Sequence, residues 1–130
     1  DKLINSVMSY SMVGTIHQNV SNISTVIDDC SAIICGYGIT AYEALMLGRP
    51  PLIICHHEED RDNAALFETL GIGVLLGSVQ SLTNDVLKDT ISDLKNEPSK
   101  LVELKNNGMN YSIDQNVARI ADKIIGLLKK

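Results

Sequence analysis

The sequence predicts an α/β fold: a three-layer, doubly wound parallel sheet followed by a C-terminal helical layer. Three features of the chain carry that expectation. Four short apolar runs recur without polar alternation, as strands covered on both faces require. Helical patterns lie between them, the alternation that right-handed crossovers close into one parallel sheet. After Leu76 the strand-like runs stop and only helical spacing remains.

The four runs are Val13-Gly14-Thr15-Ile16, Ala32-Ile33-Ile34-Cys35, Leu52-Ile53-Ile54-Cys55 and Gly73-Val74-Leu75-Leu76. Between them, Ile23, Val26 and Ile27 form one helical stripe, Tyr42 to Leu47 a second, and Ala64, Leu66, Phe67 and Leu70 a third. Gly48 and Gly71 stand where helices stop, because glycine adopts the left-handed conformation that ends a helix without steric cost. The order reads β-α-β-α-β-α-β. Upstream, Leu3, Ile4, Val7 and Met8 at helical spacing predict a further crossover helix over residues 1–11.

The tail holds three helical patterns: Val86, Leu87, Ile91 and Leu94; then Leu101 to Leu104 after Pro98; then Ile113, Val117, Ile120, Ala121, Ile124 and Leu128. The last opens with Ser112-Ile113-Asp114-Gln115, a capping box in which Ser and Gln side chains satisfy free backbone amides.

A chain of 130 residues is long enough to bury one real core, so a single domain is expected. Charged residues make up 21% and the net charge is −5. With no basic stripe, that balance excludes general affinity for nucleic acid, whose phosphates are held by clustered Lys and Arg. No apolar run approaches the roughly 18 residues of a membrane span. Cys30, Cys35 and Cys55 lie in or beside apolar runs, where free cysteine behaves as a small hydrophobe, and the expected compartment is the reducing cytoplasm.

Doubly wound sheets bind ligands beyond the carboxyl ends of their strands, which points to two loops. The first is Cys35-Gly36-Tyr37-Gly38-Ile39-Thr40-Ala41-Tyr42-Glu43. Its glycines allow close backbone approach, and a helix starting at Thr40 or Ala41 would offer free N–H groups to a diphosphate. The same residues also read as a capping box, Thr40-Ala41-Tyr42-Glu43, on a tight turn. The second loop, Cys55 to Asn63, gathers His56, His57, Glu58, Glu59, Asp60, Arg61 and Asp62 at the same edge. Adjacent histidines point in different directions on an extended backbone and lack the i, i+4 spacing of helical zinc ligands, so no metal is expected. An imidazole there could serve as a general base, yet no nucleophile has a recognisable place beside it, and a solvated polar loop is the simpler account. His17 has the same two readings, ligand contact or ordinary strand end. A receiver-like regulatory domain is disfavoured because no strand run ends in Asp.

The two loops in this order resemble the C-terminal domain of GT-B glycosyltransferases, above all the peptidoglycan N-acetylglucosaminyltransferase and the UDP-sugar hydrolases and spore-coat proteins of nonulosonate-type pathways. The resemblance runs from about Val13 to Gly77. Gly36, Thr40, Glu43, Gly48, Pro50 and Asn63 match the pattern of that group. It departs from the pattern at Asp60-Arg61-Asp62, where many relatives carry Gln, and at Tyr37, where small residues are common.

The resemblance implies a Rossmann-like fold, the C-terminal half of a GT-B enzyme, that binds a nucleotide sugar, with UDP the expected nucleotide. Glu43 would take the ribose hydroxyls, since a carboxylate offers two acceptors to a vicinal diol. The turn of Tyr37, Gly38, Ile39 and Thr40 would lie against base and phosphates, Asp60 to Asn63 would line the sugar side, and Gly36 and His57 complete the expected nucleotide-sugar-binding residues. No cofactor is implied and no catalytic residue is assigned, because the family's catalytic groups come largely from an N-terminal domain. The resembling domains also begin one or two strands earlier, so the resemblance implies a fragment whose remaining half, or a partner subunit, completes an enzyme of cell-surface polysaccharide synthesis. Self-association through an exposed sheet edge is a further expectation. The alternative is a non-catalytic α/β interaction subunit.

Overall fold

The computed structural model describes residues 15, 17–111 and 115–128. Among them lie a three-stranded parallel sheet and six α-helices. In chain order these are α1 (Ile23–Asp28), β1 (Ile33–Gly36), α2 (Ile39–Met46), β2 (Pro51–Cys55), a 3-10 turn (Glu58–Asp60), α3 (Arg61–Thr69), β3 (Val74–Ser78), α4 (Asn84–Asn96), α5 (Pro98–Asn110) and α6 (Gln115–Leu128). The expected run at Val13 to Ile16, the helix over 1–11 and the capping residues Ser112 to Asp114 fall outside the described residues, apart from Thr15, which is exposed and in no regular element.

The strands stand in the order β1-β2-β3, all parallel. Both crossovers therefore run in one direction across the sheet and place α2 and α3 on the same face. Ala41 and Leu45 from α2, and Ala64 and Phe67 from α3, close over Ile53 and Cys55 there. On the opposite face α4 and α5 bring Leu94 and Leu104 against Leu52 and Leu76. Alternation of side chains along β2 feeds both cores, which is why it shows no polar position.

The β1 strand differs from the expectation of burial on both faces. Ile34 is 45% exposed, because α4 and α5 lie over β2 and β3 and leave an open trough lined by Ala32, Ile34, Leu52, Ile91, Leu94, Lys95 and Leu101.

The helix ends follow from local chemistry. Gly48 and Gly71 have φ of +66° and +63°. Each sits in a paired turn: Gly48 and Arg49 amides donate to Leu45 and Ala44 carbonyls, and Gly71 and Ile72 amides to Glu68 and Phe67 carbonyls. That double bond satisfies carbonyls the helix leaves free. Thr83 caps α4 by accepting from the Val86 amide at 3.3 Å. Glu97 divides α4 from α5, since a residue before proline is pushed out of the helical region and Pro98 suits the first turn of the next helix.

The α5 helix closes the amino edge of the sheet. Asn107 donates to the Gly71 carbonyl at 3.1 Å, and Gly108 is so close to Leu45 that an added Cβ would stand 2.9 Å from its Cδ2. The carboxyl edge carries the loops described next. Among the described residues no helix is long and apolar enough to cross a membrane.

Candidate functional site

At the carboxyl edge the two predicted loops meet. Gly36 ends β1, and the His56 ring lies over it, its Nε2 3.3 Å from where a Cβ on Gly36 would stand. A side chain at 36 would push that exposed imidazole aside by a few tenths of an ångström, so glycine here allows the closest approach. The Tyr37 amide donates to the Ile54 carbonyl at 3.2 Å, extending the β1–β2 ladder one residue past Gly36.

The turn then delivers α2, which starts earlier than the sequence suggests. Gly38 is the N-cap and the helix begins at Ile39. Thr40 and Glu43 thus lie inside the helix, and the expected capping box over Thr40 to Glu43 does not form: the N-cap has no side-chain hydrogen bond. The Ala41 amide bonds the Gly38 carbonyl at 3.1 Å, and burial of Ala41 and Leu45 against the sheet holds this turn in the helix two residues sooner than an N-capping Thr would allow. Ile39 points outward, 78% exposed.

Freed from capping, Glu43 is exposed and opens onto a groove of about 260 Å³ between α1 and α2, lined also by Asn22, Ser24, Ile27, Met46 and Leu47. Ala41, Ala44 and Leu45 take the sheet-facing side of the same helix. The groove's other wall is fixed by Arg49, whose Nη2 bonds both the Asp28 carbonyl and its carboxylate, the latter at 2.8 Å. One guanidinium thereby satisfies the C-terminal end of α1 and ties it to the turn before β2.

Tyr37 points into the fold. Its ring meets Phe67 edge-on, centroids 6.3 Å apart at 89°, and Tyr42 leans on the same Phe67 at 5.2 Å. Burial, and after it the neighbouring Tyr37 hydroxyl, push the Tyr42 phenol above its ordinary value.

The second loop is more helical than expected. His57 precedes the 3-10 turn, and α3 starts at Arg61, so Asp62 and Asn63 belong to its first turn. A run of polar residues that reads as loop is compatible with a helix start, where acidic side chains meet the positive end of the dipole. His57 and Asn63 are exposed and Asp60 is half-buried. Arg61 pairs with Glu58 at 2.8 Å. That guanidinium first, and the Ser78 hydroxyl second, hold the Glu58 carboxyl below its usual range.

Sequence reasoning missed the end of β3. The strand runs to Ser78, two residues beyond the apolar run, through a bulge: Ile53 pairs with Leu75 but Ile54 with Gly77. Gly77 has φ +114°, a conformation that glycine supplies at such bulges. Beyond it Ser78 is 1% exposed; its amide donates to Ser81 Oγ at 3.0 Å and the two hydroxyls bond at 3.0 Å. The Gly-Ser pair after an apolar run was the available signal.

The structure therefore brings Gly36, Tyr37 and Gly38 together with His56 at one edge, and sets Glu43 on the α1 side of α2. His17 is exposed and lines a shallow hollow with Val20, Thr25, Val26, Asp29 and Cys30. Among the described residues no group of three or more His, Cys, Asp or Glu side chains is placed to hold a metal ion. Comparison with protein-family models, with curated proteins and with solved structures returned no match.

Proposed function

We propose that this chain binds a nucleotide sugar, with UDP as the nucleotide, and acts in the cytoplasm as the donor-binding half of a glycosyltransferase or UDP-sugar hydrolase of cell-surface polysaccharide synthesis. The observation that carries the reading is the convergence of the β1–α2 turn and the β2–α3 loop at the carboxyl edge of a parallel sheet, with the His56 ring resting on Gly36. Ligands of such sheets bind outside that edge. The adjoining groove suits the nucleoside: it is mostly apolar and carries one exposed carboxylate, Glu43, which can accept from both hydroxyls of a vicinal diol. No residue of the chain is assigned to bond making or breaking; another domain or subunit supplies that chemistry.

Calorimetric titration with UDP, UMP, GDP and dTDP tests the reading. Selective uptake of UDP is expected, with affinity falling at least about tenfold in Glu43→Ala. Because Glu43 is exposed, the variant keeps the wild-type melting temperature. Absence of UDP uptake by a folded wild-type chain would refute the proposal.

A second reading has its own observation. Ile120, Ile124, Ile125, Leu127 and Leu128 of α6 are all 48% exposed or more, a contiguous apolar face of the kind that marks protein interfaces. An interaction subunit built on that face would form a stable complex with its partner, and Glu43→Ala would leave that complex intact.

A further inference from the structure

We propose that Tyr37 is a positioning residue: its ring, wedged against Phe67, fixes the β1–α2 turn relative to α3 and thereby sets the geometry in which the carboxyl edge receives a nucleoside diphosphate. The inference rests on the nucleotide-sugar reading above and deepens it.

Three observations converge on Tyr37. The turn is flanked by two glycines, Gly36 and Gly38, and a Cβ on Gly38 would meet nothing within 4 Å. Left to itself, such a segment samples many backbone conformations. Tyr37 removes that freedom twice over. Its amide is held by the Ile54 carbonyl at 3.2 Å, and its ring meets Phe67 in the edge-to-face arrangement that aromatic quadrupoles favour. Phe67 itself is 3% exposed, locked between α2 and the sheet, so the anchor is rigid.

Phe67 also belongs to α3, the helix whose first turn carries Asp62 and Asn63. Tyr42, from α2, leans on the same Phe67 ring at 5.2 Å. Three aromatic rings thus link the turn, α2 and α3. A ligand spanning the two loops meets both already in register, and ordering costs that would otherwise subtract from affinity have been met by folding. A small residue at position 37 would fold as well but leave the turn loose.

The experiment compares the wild type with Tyr37→Ala, Tyr37→Phe and Leu76→Ala, the last weakening the core on the other sheet face, where Leu76 is 5% exposed. Two readouts are taken: UDP affinity, and hydrogen exchange without ligand at the two bonded amides that bracket the turn, that of residue 37 to the Ile54 carbonyl and that of Ala41 to the Gly38 carbonyl. Tyr37→Ala is expected to weaken UDP binding about tenfold and to speed exchange at these two amides by a similar factor. Tyr37→Phe keeps the ring and restores both. Leu76→Ala lowers global stability but leaves affinity unchanged. Wild-type exchange at residue 37 and Ala41 in Tyr37→Ala overturns the proposal, as does an equal affinity loss in Leu76→Ala. If the wild type binds no UDP, the nucleotide reading falls with its ligand role for Tyr37. If UDP binds and Tyr37→Ala binds it equally well, only the positioning role falls.

Discussion

Replacing Gly73 by Ala tests the packing logic of the sheet. Gly73 follows the glycine-terminated end of α3 and leads into β3, and its amide donates to the Phe67 carbonyl at 3.2 Å. A Cβ there would stand 2.8 Å from the Pro51 carbonyl oxygen, 3.1 Å from Pro51 Cγ and 3.3 Å from Phe67 Cβ. None of these can yield cheaply: Pro51 is fully buried and pairs with Ile33 in the parallel ladder. The nearest contact falls about 0.6 Å short of ordinary van der Waals separation. Overpacking of this kind costs about 1–3 kcal/mol, while the stiffer unfolded chain offsets about 0.4–1 kcal/mol. A net loss of about 1–2 kcal/mol remains. With an unfolding entropy of roughly 2.1 cal/mol/K per residue, that lowers the melting temperature by about 4–7 °C. Thermal and urea unfolding followed by circular dichroism measure it. The matched control is Gly126→Ala in α6, where a Cβ meets nothing within 4 Å and the gain in helix propensity, up to about 1 kcal/mol, leaves stability equal or higher. Equal melting temperatures for wild type and Gly73→Ala would refute the close packing of the α3–β3 junction on β2.

Two further outcomes follow from charge and burial. Glu58 has its carboxyl held below the ordinary value by Arg61, so its contribution to stability is full above that ordinary value and vanishes as pH falls through the folded one. Glu58→Gln should therefore fall slightly short of the wild type in urea midpoint at about pH 7 and converge with it at about pH 3; a gap independent of pH would contradict the pairing. Burial pushes the Cys35 thiol up, and burial followed by Asp60 and Glu58 does so for Cys55, which leaves both poor nucleophiles at neutral pH. Iodoacetamide should label half-exposed Cys30 first in the native protein and all three cysteines in urea, as mass spectrometry of the peptides would show; early labelling of Cys55 would contradict its burial.

Much of the fold was legible because strands and helices announce themselves by period. The runs at Ala32, Leu52 and Gly73 became β1, β2 and β3, shifted by a residue or two, and Gly48 and Gly71 stopped the helices they follow. Boundaries were harder where two local rules competed. Thr40-Ala41-Tyr42-Glu43 satisfies a capping pattern, but burial of Ala41 and Leu45 against the sheet extends α2 back to Ile39 and leaves Glu43 on its exposed side. The polar stretch Asp60 to Asn63 read as loop because no apolar residue marks its period, yet Ala64 and Phe67 draw it into α3 from behind. The direction of Tyr37 was not readable at all. Position along a turn does not fix which way a ring points; Phe67, thirty residues downstream, does. The β3 bulge was equally hidden, since pairing register depends on the neighbouring strand.

The two ends of the sheet are treated so differently that they argue for where function lies. At the amino edge α5 crosses beneath the helix ends: Asn107 takes the Gly71 carbonyl, Gly108 presses on Leu45, and Met109 and Lys105 lie against Gly48. Glycine at 108 is what allows that close crossing, and the Ala44, Leu45, Phe67, Glu68 and Gly71 carbonyls there accept from within the chain. At the carboxyl edge the same chain leaves His56, His57 and Glu59 exposed and ends β1 on a glycine beneath an imidazole. Apolar packing would have sealed that edge equally well had stability been the only demand. A sealed edge is a structural solution; an edge with exposed polar groups, backed by a rigid aromatic wedge one layer below, is arranged to meet something from outside. A parallel sheet offers its strand-to-helix turns at that end alone, so the nucleotide-sugar proposal and the positioning role of Tyr37 are both tested there, the first by UDP uptake and the second by what Tyr37→Ala does to it.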